Sequence, residues 1–351
     1  MECLGQRHHG SIRRNMVDKI QEIIMTKKQN LGQFNTKHNV WLRPHIIEFI
    51  RNSGCDTVVD PFAGQSDLLR AVNDYFTWYV GYDIDPTLSW EINDSLWDIP
   101  EHDKAMVVTN PPYLAKNSAT RNKLSGYSYF KDNDYEDLYQ IAIHRVLARY
   151  NKAVFIIPET YFHNGIFTSY LHSHTIIEEN PFEDTDCPVC VAAFHVTNDF
   201  MAIAGNNYRI YKNDNYLFNR FELEDILFDF NSCRCVDLTF NDVNGNLGLR
   251  GVDGVDPGDR IRFCRPGDLD YNLDNIKESS RAITIINVPG IEVCDKFIFR
   301  TNFLLGELRK RTHDVVLSPF KNNNKLGQRR RRLDFKWARK IIEKTVEALD
   351  K

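Results

Sequence analysis

The 351-residue chain has no G-x-G-x-x-G run. It therefore lacks the glycine-lined helix N-terminus that cradles a dinucleotide's pyrophosphate. No apolar run approaches the length of a membrane span. The start, MECLGQRHHGSIRRNMVDK, has no apolar segment of the secretory kind. The expectation is a cytoplasmic protein with no membrane partner. Eight cysteines without such a leader read as reduced thiols, not as a disulfide framework. Cys187 and Cys190 fall in a strand-like run, and Cys233 and Cys235 have poor ligand spacing, so no metal site is expected. There is no internal repeat, no low-complexity tract and no nuclease constellation. A net charge of only −4 points by itself to no anionic partner.

What is present is an alternation. Short β-rich runs occur at 57–60 (TVVD), 78–83 (WYVGYD), 105–110 (AMVVTN), 153–158 (AVFIIP) and 189–196 (VCVAAFHV). Helical patterns lie between them, at 65–76 and at 135–150. In the second, Leu138, Ile141, Ala142, Val146 and Leu147 recur near a 3.6-residue period. Nearly continuous apolar strands alternating with helices predict an α/β unit with a parallel, Rossmann-like sheet. Past residue 200 the texture becomes richer in Asn, Asp and Gly, as in 241–263. The reading divides the chain into an N-terminal arm (1–26), a catalytic domain (27–200) and a C-terminal region (201–351). The stretch 334–351 predicts an amphipathic helix.

In such a sheet, ligands bind at the carboxyl ends of the strands. There the chain carries Asp60, Phe62 and Gly64 after the first strand, and Asp83 and Ile84 after the second. Asp94 precedes the third strand. An acid about 20 residues beyond the first strand end suits ribose hydroxyls. Gly64 would allow a close backbone approach. Acid at the first turn disfavours phosphate and favours a cationic, hydroxyl-rich ligand. S-adenosylmethionine meets that description.

The strand at 105–110 runs into TNPPYL. Proline fixes φ, removes a donor and keeps the preceding residue extended. Asn110 and Pro111 thus form a rigid ledge of free acceptors, suited to a group with two N–H donors. An aryl amine is such a group, and it is a poor nucleophile. Held by the Asn110 side-chain oxygen and the Pro111 carbonyl, its nitrogen turns tetrahedral and aims its lone pair at a methyl sulfonium. Tyr113 offers a flat face on which a base can stack.

These residues resemble the gamma-type N6-adenine DNA methyltransferases of restriction–modification systems. NPPY (110–113) is similar to their catalytic tetrapeptide, VVDPFAGQSDLL to their cofactor loop and GYDIDP to their ribose-binding strand end. NLGQFNTKHNVWLRPHIIEFI (30–50) resembles the segment that closes over the methionine moiety. The resemblance covers about residues 27–200. It implies a Rossmann-like S-adenosylmethionine-dependent methyltransferase fold with a C-terminal target-recognition region. It also implies that Gln33, Phe34 and Thr36 touch the methionine end of the cofactor. Asp60, Phe62 and Gly64 would line the cofactor loop, Asp83 the ribose, and Asp94 the adenine amino group. Asn110, Pro111, Pro112 and Tyr113 would hold the target base, with Phe182 the candidate for a second stacking aromatic. Two departures stand out: Ser66 where the loop commonly has a second glycine, and FNTK in place of FFTP.

Chemistry on a duplex base requires extruding it, so double-stranded DNA must be gripped elsewhere. Ten basic residues crowd positions 321–344 against only Asp334 and Glu343. Lys325, Arg329, Arg330, Arg331 and Arg332 are the expected phosphate contacts. The acidic stretch 178–186 is expected to face away. Any cognate restriction endonuclease would be a separate polypeptide. The alternatives are an RNA base or a protein glutamine as acceptor, or a nucleic-acid binder that has lost activity.

Overall fold

The computed structural model describes Thr36, residues 39–183 and residues 185–349. Its strands through the first two hundred residues are β1 (Thr57–Asp60), β2 (Trp78–Asp83), β3 (Glu91–Ile92), β4 (Ala105–Thr109), β5 (Lys152–Pro158), β6 (Leu171–Ile176) and β7 (Val189–His195). The helices used below begin with α1 (Pro44–Arg51), α2 (Asp67–Val72) and α3 (Leu138–Leu147). The predicted runs at 57–60 and 78–83 match β1 and β2 residue for residue. The helical stretch 65–76 splits into α2 and a 3₁₀ turn at Asn73–Tyr75.

All four residues of β1 are buried, which places it in the middle of a sheet covered on both faces. It pairs in parallel with β2 and with β4, setting Asp60 opposite Gly81 and Val59 opposite Val107. β3 joins β2 and β5 joins β4, again in parallel. The order is β3-β2-β1-β4-β5-β7. β7 runs against β5: the Val196 N–H donates to the Asn151 carbonyl at 2.7 Å. This is the Rossmann-like α/β arrangement that the alternation predicts, except that the run at 189–196 joins the sheet antiparallel where a parallel strand is expected. Strand order reverses between β1 and β4, and the crevice at such a reversal is the ligand position in open α/β sheets.

The helices differ in how much of their surface they bury. α1 starts with Pro44 at its first turn, where a missing N–H costs nothing, and buries Ile46, Phe49 and Ile50. α3 buries every residue from Leu138 to Ile143 together with Val146, so it is covered on nearly all sides over its first turns.

Two compact units emerge. The first comprises Met1–Ile157, Pro181–Thr185 and Val191–Phe200; the second comprises Pro158–Asn180, Asp186–Cys190 and Met201–Lys351. The chain therefore passes between them several times, where the sequence suggests one boundary near residue 200. In the second unit β6 pairs in parallel with β8 (Arg209–Lys212), which pairs antiparallel with β9 (Asn215–Asn219). A four-stranded antiparallel sheet follows, ordered β10-β13-β11-β12 from β10 (Thr239–Phe240), β11 (Leu247–Arg250), β12 (Arg262–Cys264) and β13 (Ile283–Asn287). A hairpin of β14 (Ser318–Asn323) and β15 (Arg329–Arg332) completes it. Its core joins Leu249 and Ile286 to Phe297 and Leu308 of α4 (Asp295–Arg311) and to Ile341 and Ile342 of α5 (Phe335–Leu349). α5 is the predicted terminal amphipathic helix: Ala338, Ile341, Ile342 and Thr345 are buried.

Among the described residues no helix is long and apolar enough to cross a membrane. Among the same residues no group of three or more His, Cys, Asp or Glu side chains is placed to hold a metal ion.

Candidate active site

Three strands of the first unit end side by side at the reversal. Asp60 ends β1, Asp83 ends β2, and Thr109 ends β4 immediately before Asn110. Burial there is nearly complete: Asp60 is 1% exposed. Burial is the main reason its carboxyl is pushed up to about 7, with the nearby Asp83 adding to the rise and hydrogen bonds opposing it. Those bonds come from the Thr109 hydroxyl at 2.6 Å and the Phe62 N–H at 3.0 Å, both to Oδ1. Asp60 thus ties the first loop to the residue that carries the Asn-Pro-Pro-Tyr segment. Sequence reasoning gives Thr109 no role; its place directly before Asn110 is the one signal that could have marked it.

Asp83 performs a second tie. Its Oδ2 accepts from the Gly64 N–H and its Oδ1 from the Asp85 N–H, both at 2.9 Å. Each carboxylate oxygen keeps a lone pair for a further donor such as a hydroxyl. Gly64 stands at φ +48°, and a Cβ built there would meet no atom within 4 Å. The loop's backbone is therefore open to close approach. Its carbonyl accepts from the Trp90 indole N–H at 2.9 Å. The same indole lies flat over Gly81, where a Cβ would fall 2.6 Å from a ring carbon. Trp90 buttresses the loop from outside, a role that no sequence pattern marks.

Ser66 occupies the left-handed region at φ 63°. That explains why a glycine suits the position: a non-glycine residue there costs about 1–2 kcal/mol. Arg70 partly compensates by donating to the Ser66 hydroxyl at 2.8 Å. Ser66→Gly is expected to raise stability by up to about 1 kcal/mol, since glycine's extra unfolded-state freedom offsets part of the relief. Thermal unfolding of the variant measures it; a lowered midpoint would show that the Arg70 bond outweighs the strain.

Beside these loops a narrow cleft of about 30 Å³ is lined by Phe62, Ile84, Leu96 and Pro112, with Asp83 and Asp94 among its polar residues. The walls are apolar and the rim is rich in acceptors. Asp94 is already engaged, accepting from the Tyr129 hydroxyl at 2.8 Å and the Leu96 N–H at 3.3 Å. Desolvation and the Asp94 carboxylate together push the Tyr129 hydroxyl well above its ordinary value, so it stays a donor.

On the other side of the ledge, the Asn110 amide Nδ2 donates to the Thr36 hydroxyl at 3.1 Å. Its Oδ1 meets the Tyr113 hydroxyl, which also reaches the Ile156 carbonyl at 2.7 Å. Phe182 forms an isolated antiparallel bridge with Thr36. Its ring stands edge-on to Tyr113, with centroids 6.3 Å apart and planes at 69°. Thr36, Asn110, Tyr113 and Phe182 are therefore brought together from positions up to 146 residues apart. Gln33 and Phe34 lie outside the described residues.

The segment after Tyr113 is pinned as well. The Leu114 N–H donates to Asp137 Oδ1 at 3.0 Å, and Ala115 bridges Asp137 in antiparallel fashion. Asp137 stands at the start of α3. Burial pushes its carboxyl up to about 7 against three backbone hydrogen bonds that lower it. Two carboxyls thus bracket the Asn-Pro-Pro-Tyr segment, the buried Asp60 at its entry and the half-buried Asp137 at its exit.

The expected phosphate contacts are placed differently from the sequence expectation. Residues 329–332 form a strand, and strand periodicity divides them. Arg331 is 2% exposed and pairs with the buried carboxylate of Glu159, which Arg329 also approaches at 3.5 Å. Burial alone would raise the Glu159 carboxyl, but Arg331 and Arg329 hold it below the usual range. Arg329 and Arg331 are therefore spent on a buried triad within the second unit. Lys325 pairs with Asp256 at 2.5 Å on the surface. Arg332 is half-buried, its pKa lowered by burial and by Arg281. Arg330 forms no ion pair among the described residues. Glu178, from the acidic stretch, pairs with Lys212 at 2.7 Å.

Neither a family model nor a curated protein matches the chain. Solved structures do. A putative class I S-adenosylmethionine-dependent methyltransferase from Listeria monocytogenes is 12% identical at a TM-score of 0.33, over 44% of this chain and 59% of that one. A type I restriction-modification methyltransferase subunit from Streptococcus thermophilus is 16% identical at a TM-score of 0.36, over 56% of this chain and 53% of that one. The type IIG restriction endonuclease BpuSI is 13% identical at a TM-score of 0.36, over 71% of this chain and 32% of that one. This chain thus matches between about a third and three fifths of the length of each.

Proposed function

We propose that this chain is a DNA adenine-N6 methyltransferase that uses S-adenosylmethionine and acts on an adenine turned out of the duplex. The observation that carries the reading is the placement of Asn110-Pro111-Pro112-Tyr113 at the switch point of the sheet, with Phe182 beside Tyr113.

The residues of the cleft fit that cofactor. Apolar walls from Phe62, Ile84, Leu96 and Pro112 suit a purine, and Asp83 offers acceptors to ribose hydroxyls. No glycine-rich phosphate cradle is present, and the cofactor has no phosphate to cradle. When bound, S-adenosylmethionine supplies an electrophilic methyl group on a sulfonium. The protein's own residues do the rest. Asn110 Oδ1 and the Pro111 carbonyl accept the two protons of the target amine, so its lone pair is freed and aimed. To do so, Asn110 must exchange its Tyr113 partner for the amine. Tyr113 and Phe182 supply a face and an edge to an extruded base. The proton lost after transfer goes to solvent.

The Asp60 carboxyl gives the reading a pH signature. A cationic ligand beside it binds best to the carboxylate, which is half formed at about 7. Affinity for S-adenosylmethionine is therefore expected to rise from pH 6 toward pH 8, by at most about tenfold per unit below the pKa. Asp60→Asn should flatten that profile. A calorimetric titration series that gives the same slope for both proteins rejects this role for Asp60.

Expression in methylation-free bacteria, followed by single-molecule sequencing of their genomic DNA, tests the function itself. N6-methyladenine at one short motif is expected. Unmodified DNA, from protein that binds the cofactor, would move the acceptor to RNA or to a protein glutamine. A cognate restriction endonuclease, encoded separately, is the partner such an activity would protect against.

A further inference from the structure

The second unit contains a cavity of about 300 Å³ beneath the β14–β15 hairpin. Its lining is almost wholly charged or amide-bearing. Each of its carboxylates already has a cation. Glu178 pairs with Lys212 at 2.7 Å, and Asp253 with Arg309 through two bonds of 2.9 Å. Asp314 shares Arg309 at 2.8 Å, Asp256 takes Lys325, and Asp259 takes Arg250 and Arg262. Arg329 and Arg331 are charge-paired with Glu159. Two lining cations remain without a carboxylate among the described residues: Arg260 and Arg330.

Both are pre-positioned. The Arg330 guanidinium lies over the Phe320 ring at 4.9 Å, and its Nε donates to the Asp253 carbonyl at 2.8 Å. Arg260 Nε donates to the Pro257 carbonyl at 3.3 Å. A guanidinium fixed through Nε against an aromatic face loses little freedom when its remaining N–H groups are used. Gln328, also in the lining, has its Oε1 occupied by the Asn324 amide at 3.1 Å, which leaves its NH₂ as a donor. The lining charges left without a counter-ion among the described residues are thus two guanidiniums, with the Gln328 NH₂ as a neutral donor in the same lining. That is the complement of an anion rich in acceptor oxygens.

We propose that Arg260 and Arg330 form a binding site for a backbone phosphate of the nucleic-acid substrate, with Gln328 as a neutral donor. This rests on the DNA reading above and gives the second unit its anchor. It also replaces the four-arginine run by one of its members together with a residue seventy positions upstream.

The test is equilibrium binding of the full chain to a duplex of arbitrary sequence across a salt series. Arg260→Gln/Arg330→Gln should lower affinity for every duplex alike. Its plot of log affinity against log salt should be shallower than that of the parent by roughly 0.9, the share of the one phosphate that the two guanidiniums no longer neutralise. Arg265→Ala, at an exposed pair with Asp295, should leave the slope unchanged. An unchanged slope in a double variant that melts like the parent overturns the site. Loss confined to duplexes with guanine at one position, at constant slope, overturns the phosphate assignment in favour of base-edge reading. S-adenosylmethionine binding and Asn110-dependent transfer are measured on the same preparations. If they persist while the slope is unchanged, the anchor fails alone; if the parent neither binds nor methylates DNA, both readings fall.

Discussion

Asn110→Ala is expected to reduce methyl transfer by about 10²–10³-fold or more, the scale seen when one pre-positioned transition-state hydrogen-bonding group is removed. Affinity for S-adenosylmethionine should stay within about threefold, because a group that acts in the transition state leaves ground-state binding alone. The structural reason is separation of duties. Asn110 is held by Thr36 and Tyr113, whereas the apolar cleft is built from Phe62, Ile84, Leu96 and Pro112. Asn110→Asp keeps an acceptor oxygen and loses the amide donor to Thr36, so it should retain more activity than the alanine variant. Tyr113→Phe keeps the stacking ring and should fall between the parent and Asn110→Ala. Single-turnover rates together with calorimetric cofactor affinities decide the matter. Full activity in Asn110→Ala would falsify the mechanism.

The second large effect concerns stability. Glu159→Ala is expected to destabilise the second unit by about 3–5 kcal/mol, the usual cost of stranding the partner of a buried ion pair. Two partners are stranded here, since Arg331 and Arg329 both face this carboxylate inside the unit. Glu159→Gln keeps the shape and one acceptor oxygen and should cost less. The pH dependence has a definite sign. The Glu159 carboxyl is held below its ordinary value, so its contribution is fully present above the unfolded pKa of about 4.5 and is lost as pH falls through the folded value. Asp60 and Asp137 act in the opposite sense. Their carboxyls are raised from 3.8 to about 7, so the stability they confer is greatest below about 4 and declines as pH rises toward 7. Urea unfolding of Glu159→Ala at neutral pH measures the first effect. A midpoint equal to the parent's would mean that the two guanidiniums find other partners.

The opposed signs come from one physical difference that the sequence does not display. Glu159 is buried with cations, while the carboxyls of Asp60 and Asp137 meet neutral donors. All three read alike as acidic residues near strand or helix ends.

The sequence by itself determined the local elements of the first unit and the chemistry at their tips. Continuous apolar runs suit strands covered on both faces of a sheet, so β1, β2, β4 and β5 were legible, as was α5 from its period. Proline's fixed φ and missing donor made Asn110-Pro111 an acceptor ledge before any fold was known. Only the tertiary structure decided which partners each tip meets. Trp90 over Gly81, Tyr129 on Asp94 and Asp137 on the Leu114 N–H join positions separated by 9 to 35 residues, with no period to announce them. Phe182 reaches Tyr113 across 69 residues by returning to the first unit at Pro181–Thr185. The arginine run shows the limit most plainly. Four like charges in a row read as one surface patch, but a β-strand turns alternate side chains to opposite faces. Two of the four therefore went to a buried glutamate that lies 170 and 172 residues away in the chain.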